Sequence, residues 1–338
     1  MGITIRDVAR RANVSISTVS RVLNDTCPVD EEKRRRVEEA AKALGYRPNP
    51  AARILLKQET GGLGVLLPFV SGEFFTELLN GIDQAAQQSG YFLLMSSSHR
   101  HEAELEAALR GMYKRVDGLI IMAPEMQAET LRRYLNAKQH VVFLNTQVAG
   151  TDFDAFNFDN FEGGYLVTRH LLEQGHRRIA TIAGPTEAQD ARDRLLGYRK
   201  ALQEFSVAPD PALEIPGDFS TEAGFDAVPV ILNLKPRPTA IVAGNDQSAM
   251  GVLSALRQAG VRIPDDLSVT GFDDIPSARF IQPPLTTIKI PIKQMGVQAI
   301  QLLLDRITGK VTGPPRQKRM AVELIVRDST GPVVEDVR

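Results

Sequence analysis

Residues 3–24, ITIRDVARRANVSISTVSRVLN, limit what this chain can fold into more than any other stretch. Apolar residues recur there at helical spacing in two short runs, with a break between them that fits only a turn. Thr4 can cap a first helix, and Asp7, three residues on, completes a capping-box arrangement. Asn13 stands where a residue tolerant of left-handed backbone is wanted, and Ser15 can cap a second helix. Val19, Val22 and Leu23 fall on one face of that helix and point inward with Val8 and Val14. The opposite face, near the helix start, then carries Ile16, Ser17, Ser20 and Arg21. A helix-turn-helix offers a face of this kind to the DNA major groove.

Charge is distributed in agreement with that reading. The net charge is −1, yet residues 1–60 hold 12 Lys+Arg against 8 Asp+Glu, and the remainder is correspondingly acidic. A basic head on an acidic body fits a nucleic-acid-binding module on a larger domain. A third helix follows in the head, capped by Asp30, with Val37, Ala40, Ala41 and Leu44 on its buried face and Gly45 at its end. The run Lys33–Arg36 on it reads as a solvated face. Pro48 and Pro50 then break the chain, and the residues up to Gly61-Gly62 allow only a helix too short to stand alone in water. The single cysteine, Cys27, excludes an intrachain disulfide and a cysteine-rich zinc site. The first residues lack the apolar core of a secretory signal, and no run approaches a membrane span. The expected location is the cytoplasm, with no membrane partner.

From Leu63 the pattern changes to short apolar runs alternating with amphipathic helical stretches. The apolar runs are 64–69, 91–95, 118–122, 141–145, 179–183, 240–243 and 268–272. Helices are expected near 75–89, 101–115, 127–137, 161–174, 190–205, 222–233, 246–259 and 291–308. This alternation predicts an α/β body, and the number of strands favours two doubly wound parallel sheets over one. Ligands of such sheets bind beyond the carboxyl ends of strands. Phe74, Phe75, Asn145, Asn245, Asp246, Asp273 and Asp274 occupy those ends. A carboxylate can accept from two neighbouring hydroxyls, and Phe offers a stacking face, so the set suits a small polyhydroxylated or heterocyclic ligand. Asp246 reads better as a helix cap, whereas Asp273 reads as a ligand contact. No GxSxG, HExxH or phosphate-binding GxxxxGK[ST] motif occurs, and the five histidines lack metal-ligand spacing. No catalytic residue, metal or cofactor is expected.

The segments TIRDVARRANVSISTVSRVLN, GYRPNPAAR, RVDGLII, DNFEGGY, GHRRIATIAGP, RLLGYRKAL, RPTAIVAGNDQSAMG, RIPDDLSVTGFDD and PLTTI, in this order, resemble the lactose-repressor/galactose-repressor family of bacterial transcription factors. The resemblance covers almost the whole chain and is somewhat purine-repressor-like at DNFEGGY and LLDRI. It implies a helix-turn-helix head over 1–47, a hinge helix and linker over 48–60, and a periplasmic-binding-protein-like core over 61–338. The core's first subdomain would span about 61–160 and 290–318, its second about 161–289 and 319–332. On the head, the resemblance assigns base reading to Ile16, Ser17 and Arg21, and phosphate contact to Thr4, Ser15, Thr18 and Ser20. In the hinge it places Ala52 in the minor-groove motif and makes Leu55 the intercalating wedge.

In the core the resemblance assigns effector contact to Arg194, Asn245 and Asp273, with Phe75 and Phe219 as aromatic walls. These residues suit a sugar. The purine pocket's further arginine, threonine and tryptophan positions fall on Ala188, Asp190 and Thr146, which disfavours a purine. The implied function is a ligand-responsive repressor that binds a pseudo-palindromic double-stranded operator as a homodimer and takes a sugar or related metabolite in its cleft. GPVVEDVR carries no leucine heptads, so a dimer rather than a tetramer is expected. The alternatives are a cytoplasmic solute-binding protein or an enzyme on the same fold. The DNA-reading head counts against the first, and the missing nucleophile–base pair against the second.

Overall fold

A computed structural model describes residues 3–24, 28–46, 59–135, 139–148 and 153–333. Cys27, Ala52 and Leu55 lie outside the described residues. The chain divides into two units, Met1–Thr60 and Gly61–Arg338.

The first unit holds three helices, α1 (Ile5–Ala12), α2 (Ile16–Asn24) and α3 (Glu31–Leu44). The Asp7 carboxylate accepts from the amide and the hydroxyl of Thr4 at 2.9 and 2.7 Å, and this pairing, first with the hydroxyl, holds its pKa below the usual value. Asn13 sits in the left-handed region at φ 51° and lets α1 stop within one residue. Ser15 Oγ accepts from the amide of Thr18, and Asp30 accepts from the amide of Lys33. Val8, Val19 and Val37, one from each helix, are fully buried and form the centre of the bundle. The basic run on α3 is more than a solvated face. Arg36 donates to the carbonyls of Ala12 and Asn13, so it also satisfies the open C-terminal end of α1.

The second unit contains two parallel sheets and a short antiparallel pair. The first sheet comprises β1 (Gly62–Leu67), β2 (Phe92–Ser97), β3 (Gly118–Ile121), β4 (His140–Leu144), β5 (Asp154–Phe158) and β11 (Gln317–Met320), in the order β11-β5-β4-β3-β1-β2. It packs against α4 (Glu73–Gln88), α5 (Glu102–Met112), α6 (Ala128–Tyr134) and α11 (Ile292–Ile307). The second has the order β7-β6-β8-β9, from β6 (Ile179–Ile182), β7 (Glu214–Ile215), β8 (Ala240–Ala243) and β9 (Ser268–Thr270). Its helices are α7 (Asn160–Glu173), α8 (Gln189–Glu204), α9 (Thr221–Asn233) and α10 (Asp246–Gln258). β10 (Thr287–Lys289) pairs with β12 (Glu323–Ile325). The strands β1, β3, β6 and β8 are buried along their whole length, as strands covered by helices on both faces must be.

All eight core helices arise within three residues of their expected positions, and all seven apolar runs become strands. Five strands escape the sequence reading: β5, β7, β10, β11 and β12. β5 shows why. Its Asp154 breaks the apolar pattern, yet it is only 5% exposed. Arg306 of α11 grips its carboxylate with two 2.8 Å hydrogen bonds, and the Arg316 amide adds a third at 2.7 Å. A charge inside a strand is tolerated here because another element supplies its partner. The chain passes between the two halves after β5, after β10 and after β11. Among the described residues no helix is long and apolar enough to cross a membrane.

The last described segment is pinned to the second sheet by His176, which is 2% exposed. Its Nε2–H donates to the Gly331 carbonyl at 3.0 Å, and its Nδ1 accepts from the Thr239 hydroxyl at 2.8 Å. Burial holds the pKa of His176 below its ordinary value. The native state therefore prefers the neutral ring, and stabilisation from this residue is complete above the unfolded pKa of about 6.5 and is lost as pH falls below it. In His176→Gln that titration is absent. The stability gap between wild type and variant should be about 1–3 kcal/mol at pH 7.5 and should narrow towards pH 5, read as chemical denaturation midpoints at each pH. A gap that widened on acidification would contradict this account.

Candidate functional site

Both sheets direct the carboxyl ends of their strands towards one cavity of about 350 Å³, within the range that holds a small-molecule ligand. Of the core residues singled out in the sequence, Phe74, Phe75, Asn145, Arg194, Phe219, Asn245 and Asp273 line it, whereas Asp246 and Asp274 do not, Asp274 being paired with Arg327. Phe74 and Phe75 open α4 just beyond β1 and pack edge to face, 5.1 Å between centroids. Asn145 follows β4, Phe219 follows β7, Asn245 follows β8 and Asp273 follows β9. Four non-glycine residues at these strand ends have positive φ: Asn145 (43°), Phe219 (72°), Asp273 (115°) and Asp274 (55°). Backbone strain of this kind concentrates at binding sites, where the surrounding structure over-determines it.

Arg194 is the centre of the site. Its Nε donates to Asn160 Oδ1 at 3.0 Å and its Nη1 to the Gly244 carbonyl at 2.7 Å. Its Nη2 faces Asp273 Oδ1 at 3.6 Å. The guanidinium lies 3.6 Å above the Phe272 ring centroid and 5.1 Å from that of Phe219. α8 brings Arg194 there because it crosses α7 in backbone contact. A Cβ on Gly164 would meet the Arg194 carbonyl at 2.2 Å, and one on Gly197 the Phe161 carbonyl at 2.1 Å. A Cβ on Gly184 would strike the Phe219 ring, so that glycine reserves the place where the aromatic wall stands.

Asn160 also donates to Asn145 Oδ1 at 2.9 Å, and Asn145 Nδ2 donates to Asp190 Oδ2 at 2.9 Å. One hydrogen-bonded chain thus runs Asp190–Asn145–Asn160–Arg194, and Arg194 meets Asp273 at its end. The Asp273 carboxyl is pushed up to about 7, chiefly by burial, with Arg194 opposing and Asp190 adding to the rise. Glu125, beyond β3, is likewise pushed up to about 7, mainly by burial. Neither of its carboxylate oxygens has a hydrogen-bond partner among the described residues.

The cap expected at Asp246 belongs to Asn245, whose Oδ1 accepts from the Ser248 amide at 2.8 Å. Asp246 is instead fully buried. It accepts from the Ile275 amide and the Thr287 hydroxyl, and burial pushes its pKa well up. The sequence reading passed over Arg100, Asn160 and Glu125, and it treated Asp190 only as a replacement. Arg100, at the end of β2, lines the cavity with its guanidinium 4.9 Å from the Phe69 centroid. The four-residue spacing of Asp190 and Arg194, which puts both on one face of α8, was the available signal for Asp190.

On the head, Ile16, Ser17 and Arg21 are exposed on α2, and Thr18 and Ser20 are half-buried beside them. The Ser15 hydroxyl bonds with those of Ser17 and Thr18 at 2.7 and 2.8 Å. Thr4 and Ser15 therefore spend their hydroxyls within the head's own caps.

A helix-turn-helix head and a two-sheet core with an interlobe cavity define the class: a DNA-binding protein with a ligand-receiving body. Residues 4–49 match the model described as bacterial regulatory proteins, lacI family, and residues 168–330 that of the periplasmic binding protein-like domain. The chain is 41% identical over 312 residues to the HTH-type transcriptional repressor PurR of Edwardsiella ictaluri, covering 91% of each chain. It is 39% identical over 315 residues to PurR of Escherichia coli O1:K1, covering 92% of each. The lac repressor dimer bound to operator and the anti-inducer ONPF matches with a TM-score of 0.88 at 30% identity, covering 98% of this chain and 100% of that one. The CelR–cellobiose complex matches with a TM-score of 0.72 at 31% identity, over 97% and 99%. A LacI family regulator from Enterococcus faecium with bound ribose gives 0.72 at 31%, over 81% and 100%. The chain belongs to the lacI family of bacterial regulatory proteins. It is a DNA-binding transcriptional repressor with an effector-binding core.

The mouth of the cleft is tied by Glu73, at the start of α4. Its carboxylate accepts from the Ser277 amide at 2.9 Å and from the Ser277 hydroxyl. Glu73→Ala should speed hydrogen exchange in a peptide spanning 275–280 about tenfold, the factor expected for about 1.4 kcal/mol of lost protection. Exchange in β8, remote from the contact, should be unchanged. Equal rates in both proteins at 275–280 would show that Glu73 does not hold the mouth.

Proposed function

We propose that this repressor binds a pseudo-palindromic double-stranded operator as a homodimer and that a sugar-class effector in the cleft controls that binding without being turned over. Protein of this kind acts in the cytoplasm. What supports the effector assignment most is the convergence of Phe74, Phe75, Asn145, Arg194, Phe219, Asn245 and Asp273 on one cavity with aromatic walls and polar groups at fixed positions. Asp273 accepts ligand hydroxyls, Asn245 donates through its free amide hydrogens, and the Phe rings stack on the carbon face of the ligand. Thr146 argues against a purine pocket here. Its hydroxyl donates to the Leu144 carbonyl and accepts from the Ala123 amide, so it stays inside the first sheet. Cellobiose and ribose, bound in two structures similar to this chain, are in keeping with a sugar.

The cleft can act as a switch only if its ligand favours one arrangement of the two lobes, since equal affinity for both shifts nothing. On the head, Arg21 donates to guanine O6/N7 and Ile16 touches a thymine methyl, while Ser17 reads a further base edge. Thr18 and Ser20 contact phosphates, which set register without specifying sequence, and Thr4 and Ser15 do so by exchanging the cap bonds of their hydroxyls for the phosphate. Ala52 and Leu55 retain a proposed minor-groove role, with Leu55 wedging between base steps.

Thermal shift against a panel of sugars and nucleobases, with turnover assayed in parallel, tests the core. Stabilisation by sugars without turnover is the expected result, and stabilisation by purines alone would overturn the effector class. For the head, Arg21→Ala should weaken operator binding by about 1–3 kcal/mol and relax selection at one base pair per half-site. Selection from a random DNA library reads this directly. An unchanged consensus would remove Arg21 from the reading face.

A further inference from the structure

The hydrogen-bonded chain behind the cavity has a direction, and its two ends impose it. Arg194 carries donors and no acceptor, so the Asn160 atom 3.0 Å from its Nε must be the amide oxygen. The Asn160 amide nitrogen then faces Asn145, whose oxygen must receive it at 2.9 Å. That leaves the Asn145 nitrogen towards Asp190, where the carboxylate accepts at 2.9 Å. With an obligate donor at one end and an acceptor-only carboxylate at the other, each of the two amides between them has one permitted orientation.

The same chain crosses the boundary between the lobes. Asn145 follows β4 of the first lobe, whereas Asp190 and Arg194 stand on α8 of the second. Asn160 opens α7, where the polypeptide first passes from one lobe to the other. It is 5% exposed and does not line the cavity, although Asn145, Asp190 and Arg194 all do. Its remaining amide hydrogen meets only the Phe158 carbonyl, at 3.5 Å, the outer limit of a hydrogen bond. Beside Asp190, the Gln189 amide donates to the Pro124 carbonyl of the first lobe at 3.0 Å. That backbone bond reports whether the lobes are together at this point.

We propose that Asn160 is a positioning residue that carries the state of Arg194 across the lobe boundary, by fixing the direction of the Asn145–Asp190 bond that joins the lobes. A ligand group that draws on Arg194 then acts, through Asn160, on that bond. This use of the relay rests on the effector reading of Arg194. The direction of the relay does not, because it is present without a ligand.

Reversal of the relay tests its direction. Asn160→Asp keeps the shape and the acceptor for Arg194 but removes the donor to Asn145. Asn145 must then turn its nitrogen towards position 160, and its oxygen meets the Asp190 carboxylate, acceptor against acceptor. In the full-length protein this should speed hydrogen exchange of the Gln189 amide about tenfold, while β6 keeps its wild-type rates. Asp190→Asn added to Asn160→Asp supplies a donor at the far end, so the chain can run backwards and Gln189 should return towards the wild-type rate. Asp190→Ala added instead removes the same charge but supplies no donor, and exchange should stay fast. Unchanged exchange in Asn160→Asp, or a response that does not distinguish the two double variants, overturns the inference. If Asn160→Asp does not fold alone, thermal melting decides: the double variant with Asp190→Asn should fold and the one with Asp190→Ala should not, and any other pattern overturns it. None of these measurements uses an effector, so a ligand screen that removed the sugar reading would leave this result standing, and the reverse.

Discussion

The cavity of this repressor depends on a guanidinium that is buried before any ligand arrives. Arg194 is 11% exposed at its side chain, and taking such a charge out of water costs several kcal/mol unless its donors are met. The fold meets them from three directions: Asn160 from the start of α7, Gly244 from the end of β8, and Asp273 from the end of β9. Phe272 adds a ring face beneath it. Each partner stands at a strand or helix terminus of the second lobe, so the one side chain fixes the positions of several loops. The glycines at the α7–α8 crossing serve the same end, since a bulkier residue would move α8 and carry Arg194 away from its partners.

That commitment explains why strain gathers around it. Asp273 at φ 115° and Asn145 at φ 43° hold their side chains towards the cavity at a cost of order 1–3 kcal/mol each. The network around Arg194 over-determines both. Asn145 is fixed by Asn160 on one side and Asp190 on the other, and the Asp273 amide donates to the Ile288 carbonyl at 2.8 Å. Unmet hydrogen-bonding capacity at the cavity is then of both kinds: Asp273 Oδ1 has no donor and the buried Arg100 Nε has no acceptor among the described residues. A cavity with an open acceptor at Asp273 and open donors at Arg100 and Asn245 selects for ligands whose groups both donate and accept, as hydroxyls do.

Much of this was legible in the sequence because it was local. The period of apolar residues located the helices, and caps such as Asn13, Asp30 and Gly45 marked where they stop. Polar residues just after apolar runs pointed to Asn145, Asn245 and Asp273, because a parallel strand must release its chain at its carboxyl end. Arg194 and Phe219 came only through family resemblance, since neither follows an apolar run that marks it. What stayed hidden depends on partners distant in sequence. β5 was missed because Asp154 is satisfied by Arg306, 152 residues away. Asp246 was misassigned because its acceptors are used by Ile275 and Thr287, which reach it only through the tertiary fold. The Arg36 tie to the end of α1 was missed for the same reason.

The two ends of the cleft are held by different forces. Near the crossover strands one apolar cluster runs without interruption from Leu63, Ile120 and Leu303 of the first lobe to Phe272 and Ile288 of the second. At the cavity the lobes meet through polar contacts: Glu73 with Ser277, Asn145 with Asp190, Gln189 N–H with the Pro124 carbonyl, and Arg100 with the Asp218 carbonyl. Separating the apolar cluster would expose hydrocarbon to water at about 25 cal/mol per Å². Parting the polar contacts exchanges each for water at a net cost of about 0.5–1.5 kcal/mol. Relative motion of the lobes is therefore cheapest where it leaves the apolar cluster intact and parts the polar contacts. A ligand that bridges the polar groups acts on the weaker end, where a few hydrogen bonds amount to a useful fraction of the roughly 5.5 kcal/mol needed to invert a two-state population.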